Sequence, residues 1–208
     1  MFYRLESLLK SLFDDLFLAI PAAVITAVVY WVIRRALHKK RFGADFKEVR
    51  RKALLNEIIR LLLVLWLVLV FGGTLLPSKL EMEWHYMNNL WHFKDFFNAP
   101  HWDLVPGMIR HHDIRSYLSH FALNAAMFMP IGLALPFVLK RGGFGKVVLI
   151  GFCMTFTIEF LQGFIDRDPG LDDVFFNTLG TVLGCLLYLL MKLLLPRFTE
   201  KCNVRAKK

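Results

Sequence analysis

Glu159 and Gln162 stand three residues apart in an apolar run. They are followed by Asp166, Arg167, Asp168, Asp172, Asp173 and Asn177, and then by Gly180 and Gly184 at helical spacing. Side chains three or four residues apart share a helical face. An ionisable group at mid-bilayer costs roughly 2.5 to 3.5 kcal/mol on insertion scales, so a chain keeps one only where partners or a wet cavity offset that cost. Two chemistries suit such a carboxylate: a general base that takes a proton from a head group, or an anchor for a polar ligand.

A second set of residues precedes these. His120 and Asn124 are four apart on one face, and Pro130, Gly132 and Pro136 follow in the same apolar run. Pro130 removes the hydrogen bond to the Ala126 carbonyl and Pro136 removes that to Gly132. Freed backbone groups in a membrane need protein, hydroxyls or water beside them, so this face should look inward. At ~1.5 Å per residue, Glu159 lies about 9 Å below Ile165, Asn124 about 12 Å below Ser116 and Asn177 about 7 to 8 Å below Asp172. Three runs thus place polar groups at similar depth, with Arg167, Asp172 and Asp173 at the rim. Asn177, Gly180, Thr181 and Gly184 form a stripe of small residues that admits a close helical neighbour. Plainer roles compete at each position: Asn124 and Asn177 as links between helices, Asp172 and Asp173 as helix caps, Glu159 as a partner for Arg167 or His120.

The elements that must hold these residues are set by composition. The 208 residues are 56% hydrophobic, with 20 Phe and a mean hydropathy of +0.47, beyond an ordinary soluble domain. Five apolar runs, near 16–33, 58–76, 117–139, 147–165 and 174–195, each approach the ~20 residues that cross a bilayer. The predicted fold is an all-α polytopic helix bundle of about five transmembrane helices in a single membrane domain, 1–208. Of 26 Lys and Arg, ten lie from Arg34 to Arg60, three at Lys140, Arg141 and Lys146, and six from Lys192 onward. The positive-inside rule then puts the N-terminus outside and the C-terminus in the cytoplasm. The Arg34–Arg60 segment reads as a solvated or lipid-facing basic stretch drawn to anionic head groups. Because the bases flank the spans, the net charge of +9 does not point to nucleic acid. No basic region precedes the first apolar run, so no cleavable signal peptide is expected.

Residues 1–16 carry an amphipathic pattern. It fits either a helix lying in the outer interface or an extension of the first span. The loop 77–115 holds Trp84, Trp91 and Trp102 with His85, His92, His101, His111 and His112. Its aromatic content favours the head-group zone, so short interfacial helices are expected. Those histidines lack the i, i+4 pairing of helical zinc sites, so no metal and no cofactor is assigned. Cys153, Cys185 and Cys202 imply no disulfide framework.

The order Asn124-x-x-x-Phe128-x-Pro130-x-Gly132-x-x-x-Pro136, then Glu159-x-x-Gln162, then Arg167, Asp172-Asp173-x-x-x-Asn177-Thr178-Leu179-Gly180-x-x-x-Gly184, resembles the VanZ-like family of bacterial membrane proteins over residues 86–190. The family takes its name from an accessory determinant of resistance to the glycopeptide teicoplanin. The resemblance implies a multi-pass protein of the bacterial cytoplasmic membrane acting at the outer cell envelope. Three functions are carried forward. The first is an outward cavity in which Asn124, Glu159, Gln162, Arg167, Asp172, Asp173 and Asn177 bind a membrane lipid, a lipid-linked cell-wall precursor or a lipoglycopeptide. The second is an intramembrane enzyme on a lipid or isoprenoid head group, with Glu159 as general base and Asp173 or His120 assisting. The third is a small-solute channel or transporter, for which no inverted repeat is evident.

Overall fold

A computed structural model of the chain describes residues 2–42, 51, 53–75, 114–139, 143–164 and 169–203, with side chains in the first helix described from residue 20 to 40. The described residues form six helices: α1 Phe2–Phe42, α2 Leu54–Leu75, α3 Ile114–Val138, α4 Phe144–Gln162, α5 Leu171–Leu194 and α6 Pro196–Asn203. Among the described residues, five stretches are long and apolar enough to cross a membrane: Ile20–Lys40, Leu54–Leu75, Tyr117–Val138, Phe144–Gln162 and Leu171–Leu194. The five expected spans are therefore present.

The α1 helix continues through Pro21 from Phe2 to Phe42. Of the two readings of residues 1–16, the extension of the first span fits this backbone. At ~1.5 Å per residue such a helix is about 60 Å long, twice the ~30 Å hydrocarbon core. The expected interfacial helices of loop 77–115, and its histidines, fall outside the described residues.

Helices α3 and α5 form the closest packed pair, with α4 against α5, α2 against α3 and α1 against α2. Small residues make the central approach possible. A Cβ on Gly180 would fall on the Ala125 carbonyl, on Gly184 on the Met129 carbonyl, and on Gly132 of the facing helix on the Thr181 carbonyl. The small-residue stripe of α5 therefore meets α3 backbone to backbone, as such stripes do in membrane bundles. Around this contact the core is filled by Phe128, Ile131, Ile158 and Val147, all fully buried, with Leu63 and Val70 from α2. The proline-broken stretch of α3 faces inward as expected. Near Pro130, the Trp66 indole of α2 donates to the Met127 carbonyl at 2.8 Å.

The basic end of the bundle departs from its sequence reading. Arg34 and Arg60 are tied into the protein instead of lying on a solvated stretch. Asn56, fully buried in α2, donates its amide to the Phe137 carbonyl at the end of α3 and to the Cys202 carbonyl of α6, both at 2.9 Å. Arg60 donates to Val138 O at 2.9 Å and to Asn56 Oδ1 at 2.8 Å. The last carbonyls of a helix have no partner within it. These two side chains supply partners to α3 and α6 together.

One turn away, Glu57 holds α1. Arg34 donates Nε to Glu57 Oε2 at 2.8 Å and Nη2 to Oε1, the Tyr30 hydroxyl donates at 3.4 Å, and the buried His38 stands 3.7 Å from Oε1. The α1 span is otherwise unburied, so this cluster dominates its polar attachment. Glu57→Ala is expected to cost roughly 2 kcal/mol, the scale of charged hydrogen bonds, and to expose α1 to protease at lower temperature than in the wild-type chain. An unchanged cleavage profile would show that apolar contact alone holds the helix.

Candidate functional site

At the opposite end of the bundle, α3, α4 and α5 bring most of the sequence-predicted polar residues together. The helical periods decide which side chains meet. Asp173 and Asn177 lie four apart on α5, Thr155 and Glu159 four apart on α4, and His120 and Asn124 four apart on α3. The close α3–α5 approach sets Asp173 against α3. Its Oδ1 accepts from Asn124 Nδ2 and lies 2.9 Å from His120 Nε2. A carboxylate oxygen accepts, so Nε2 must carry the hydrogen in this pair. His120 is largely exposed and Asp173 half-buried, so the pair forms the mouth of the cluster.

Glu159 lies deeper, at 5% exposure, and accepts the Gly170 N–H on Oε2 at 3.1 Å. It thereby ties α4 to the start of α5. His120 and Asp173 are within electrostatic reach of it. One turn further in, Asn177 donates Nδ2 to Thr155 Oγ1 at 2.9 Å, and the Thr181 hydroxyl donates to the Asn177 carbonyl at 3.2 Å. Asn177 is 2% exposed, yet its Oδ1 has no hydrogen-bond partner among the described residues. An unpaired buried polar atom costs about 1 to 3 kcal/mol.

Three expectations change. Gln162 shares a face with Glu159 in sequence, but its amide donates to the Thr74 carbonyl of α2 at 2.9 Å and so links α4 to α2. Asp172 and Asp173 do not cap α5: the N-cap is Gly170, with no side-chain cap bond, and both carboxylates sit in the first turn. There they complement the helix dipole, while their side chains reach α3, Asp173 as above and Asp172 to Tyr117. Glu159 pairs with a backbone amide, not directly with His120. Arg167 lies outside the described residues, as do Asp166 and Asp168.

Sequence reading missed Thr155, Tyr117, Gly170 and Thr74. Thr155 carried a signal, four residues before Glu159 in an apolar helix. Gly170 and Thr74 contribute only backbone atoms, which no side-chain pattern reveals. Among the described residues no group of three or more His, Cys, Asp or Glu could hold a metal ion. What the arrangement can do is present carboxylate and amide groups to a polar group arriving between α3, α4 and α5.

Five apolar helices with a polar cluster buried at one end define a multi-pass α-helical membrane protein. The chain belongs to the VanZ/LLP1 family, whose model matches residues 58–192. That range contains the whole cluster and most of α2, reaching further toward the N-terminus than the motif resemblance. No curated protein and no solved structure matches the chain.

Proposed function

We propose that the chain lies in the bacterial cytoplasmic membrane with its N-terminus outside, and that the cluster is an outward-facing binding site for an amphiphile. The fitting ligands are a lipid-linked cell-wall precursor or a glycopeptide antibiotic, and the physiological result is lowered susceptibility to teicoplanin-type glycopeptides. The observation that carries this reading is the convergence of Asn124, Glu159, Asp173 and Asn177 from three helices, with Glu159 almost fully buried. Polar groups at membrane depth are by default functional. The orientation rests on the distribution of Lys and Arg.

Asn124→Ala, Glu159→Gln and Asn177→Ala are each expected to weaken binding of a purified glycopeptide or lipid-linked precursor by about tenfold, the effect of one lost hydrogen bond of roughly 1.4 kcal/mol. Binding is read on the full chain in nanodiscs, with helical content checked by circular dichroism. A host expressing the chain should tolerate more teicoplanin than one expressing the Glu159→Gln variant. Unchanged affinity in all three folded variants sinks the proposal.

A second reading is favoured by the 2.9 Å His120–Asp173 pair beside Glu159. A carboxylate-oriented imidazole is a proton-transfer arrangement, so the site would process a lipid or isoprenoid head group with Glu159 as general base. Product from labelled envelope lipids, lost in Glu159→Gln, would select this reading. No turnover on any of them would remove it.

A further inference from the structure

Resting on the reading of the cluster as a ligand site, we infer that the group it receives is a primary ammonium, carried by an amphiphile, and not a phosphate. Donors and acceptors are unevenly matched between α4 and α5. Glu159 gives Oε2 to Gly170 while Oε1 has no hydrogen-bond partner among the described residues. Asp173 gives Oδ1 to His120 and Asn124 while Oδ2 lies beside Gly170. Asn177 gives Nδ2 to Thr155 and leaves Oδ1, buried, without a partner among the described residues. The open positions are thus all acceptors.

Their placement suits one small donor. Asn177 and Thr155 form the lower rung of the α4–α5 seam, and Asp173 and Glu159 stand one turn above on the same two faces. Four residues of helix rise about 6 Å. Two N–H···O bonds of about 2.9 Å from a single nitrogen bridge that gap. An ammonium brings three N–H donors and no acceptor, which is the complement of Glu159 Oε1, Asp173 Oδ2 and Asn177 Oδ1.

Charge points the same way. Glu159 and Asp173 are two carboxylates within electrostatic reach of each other, with the His120 imidazole on the exposed rim beside them. Like charges repel strongly where water is scarce, so the Glu159–Asp173 pair itself favours an ammonium over a phosphate. The surroundings favour an amphiphile as carrier: Phe156 and Phe160 of α4, next in sequence to Thr155 and Glu159 respectively, are exposed apolar side chains.

The test uses the full chain in maltoside micelles with three probes of one tail length: dodecylamine, dodecyltrimethylammonium and dodecyl phosphate. Probe retained per protein after gel filtration is measured against protein-free micelles. Dodecylamine should be retained about tenfold above the other two, because the trimethyl analogue has charge without N–H donors and the phosphate has the wrong sign. Retention should fall to background in Glu159→Gln, which preserves shape, and in Asn177→Leu, with circular dichroism confirming the fold of each. Preferred retention of dodecyl phosphate would mean that Asn177 presents its NH2 to the seam; it would overturn the ammonium assignment and leave the ligand-site reading standing. Equal retention of all three probes would overturn the assignment. Dodecylamine retention that ignores Asn124→Ala, Glu159→Gln and Asn177→Leu alike would remove the ligand site itself.

Discussion

Gly184→Leu is expected to prevent the bundle from assembling, and even Gly184→Ala to cost about 2 to 3 kcal/mol, the upper range of overpacking. A Cβ on Gly184 would overlap the Met129 carbonyl and crowd the Leu133 amide nitrogen. Those are backbone atoms of a helix, which cannot rotate away as a side-chain tip can. Relief requires separating α3 from α5, and that separation would also pull His120 and Asn124 from Asp173. Stability and the site should therefore fail together. Gly73→Ala supplies the contrast, since a Cβ there meets open space; replacing glycine within a helix should then be neutral or stabilising by up to about 1 kcal/mol. Thermal melts of both variants in maltoside, followed by circular dichroism, distinguish the two. Equal melting temperatures for Gly184→Ala and Gly73→Ala would contradict the close α3–α5 approach.

Asn56→Leu is the second substitution expected to have a large effect, at roughly 3 to 5 kcal/mol. Its amide serves the Phe137 and Cys202 carbonyls, and its oxygen receives Arg60 Nε. Leucine preserves the volume while leaving two carbonyls and part of a guanidinium unpaired, each orphaned buried group costing about 1 to 3 kcal/mol. The expected signature is a lowered melting temperature together with protease cleavage at α6, which Asn56 links to α3. Asn56→Asp retains the acceptor for Arg60 but no donor, so it should recover only part of the loss. A melting curve for Asn56→Leu within about 1 kcal/mol of wild type would mean that water satisfies those carbonyls.

Much of this was legible before any coordinates. The five spans follow from hydropathy, because a bilayer demands about 20 apolar residues per crossing. Asn124, Glu159 and Asn177 were legible because polar residues in such spans are costly and must face protein. The Gly180–Gly184 stripe announced a close helical neighbour. The link from Gln162 to the Thr74 carbonyl of α2 was not legible, because a shared face specifies direction without saying which helix lies there. Capping competed with the rim role for the two aspartates because position near a helix start cannot distinguish an N-cap from the residues of the first turn. The Asn56–Arg60 clamp went unread because its residues lie at the boundary between a basic linker and an apolar run, where solvation is the default expectation.

The sequence by itself determined that this is a helical membrane protein with five spans and an internal polar face, because periodicity and the cost of burying charge act locally along the chain. Tertiary structure decided the partners: Asp173 with His120 and Asn124, Glu159 with the Gly170 amide, Gln162 with Thr74, and Asn56 with the ends of α3 and α6. It also left Asn177 Oδ1 without a partner among the described residues. These pairings depend on which helix stands opposite and on how near the glycine contacts let it come, distances between segments that no local pattern encodes.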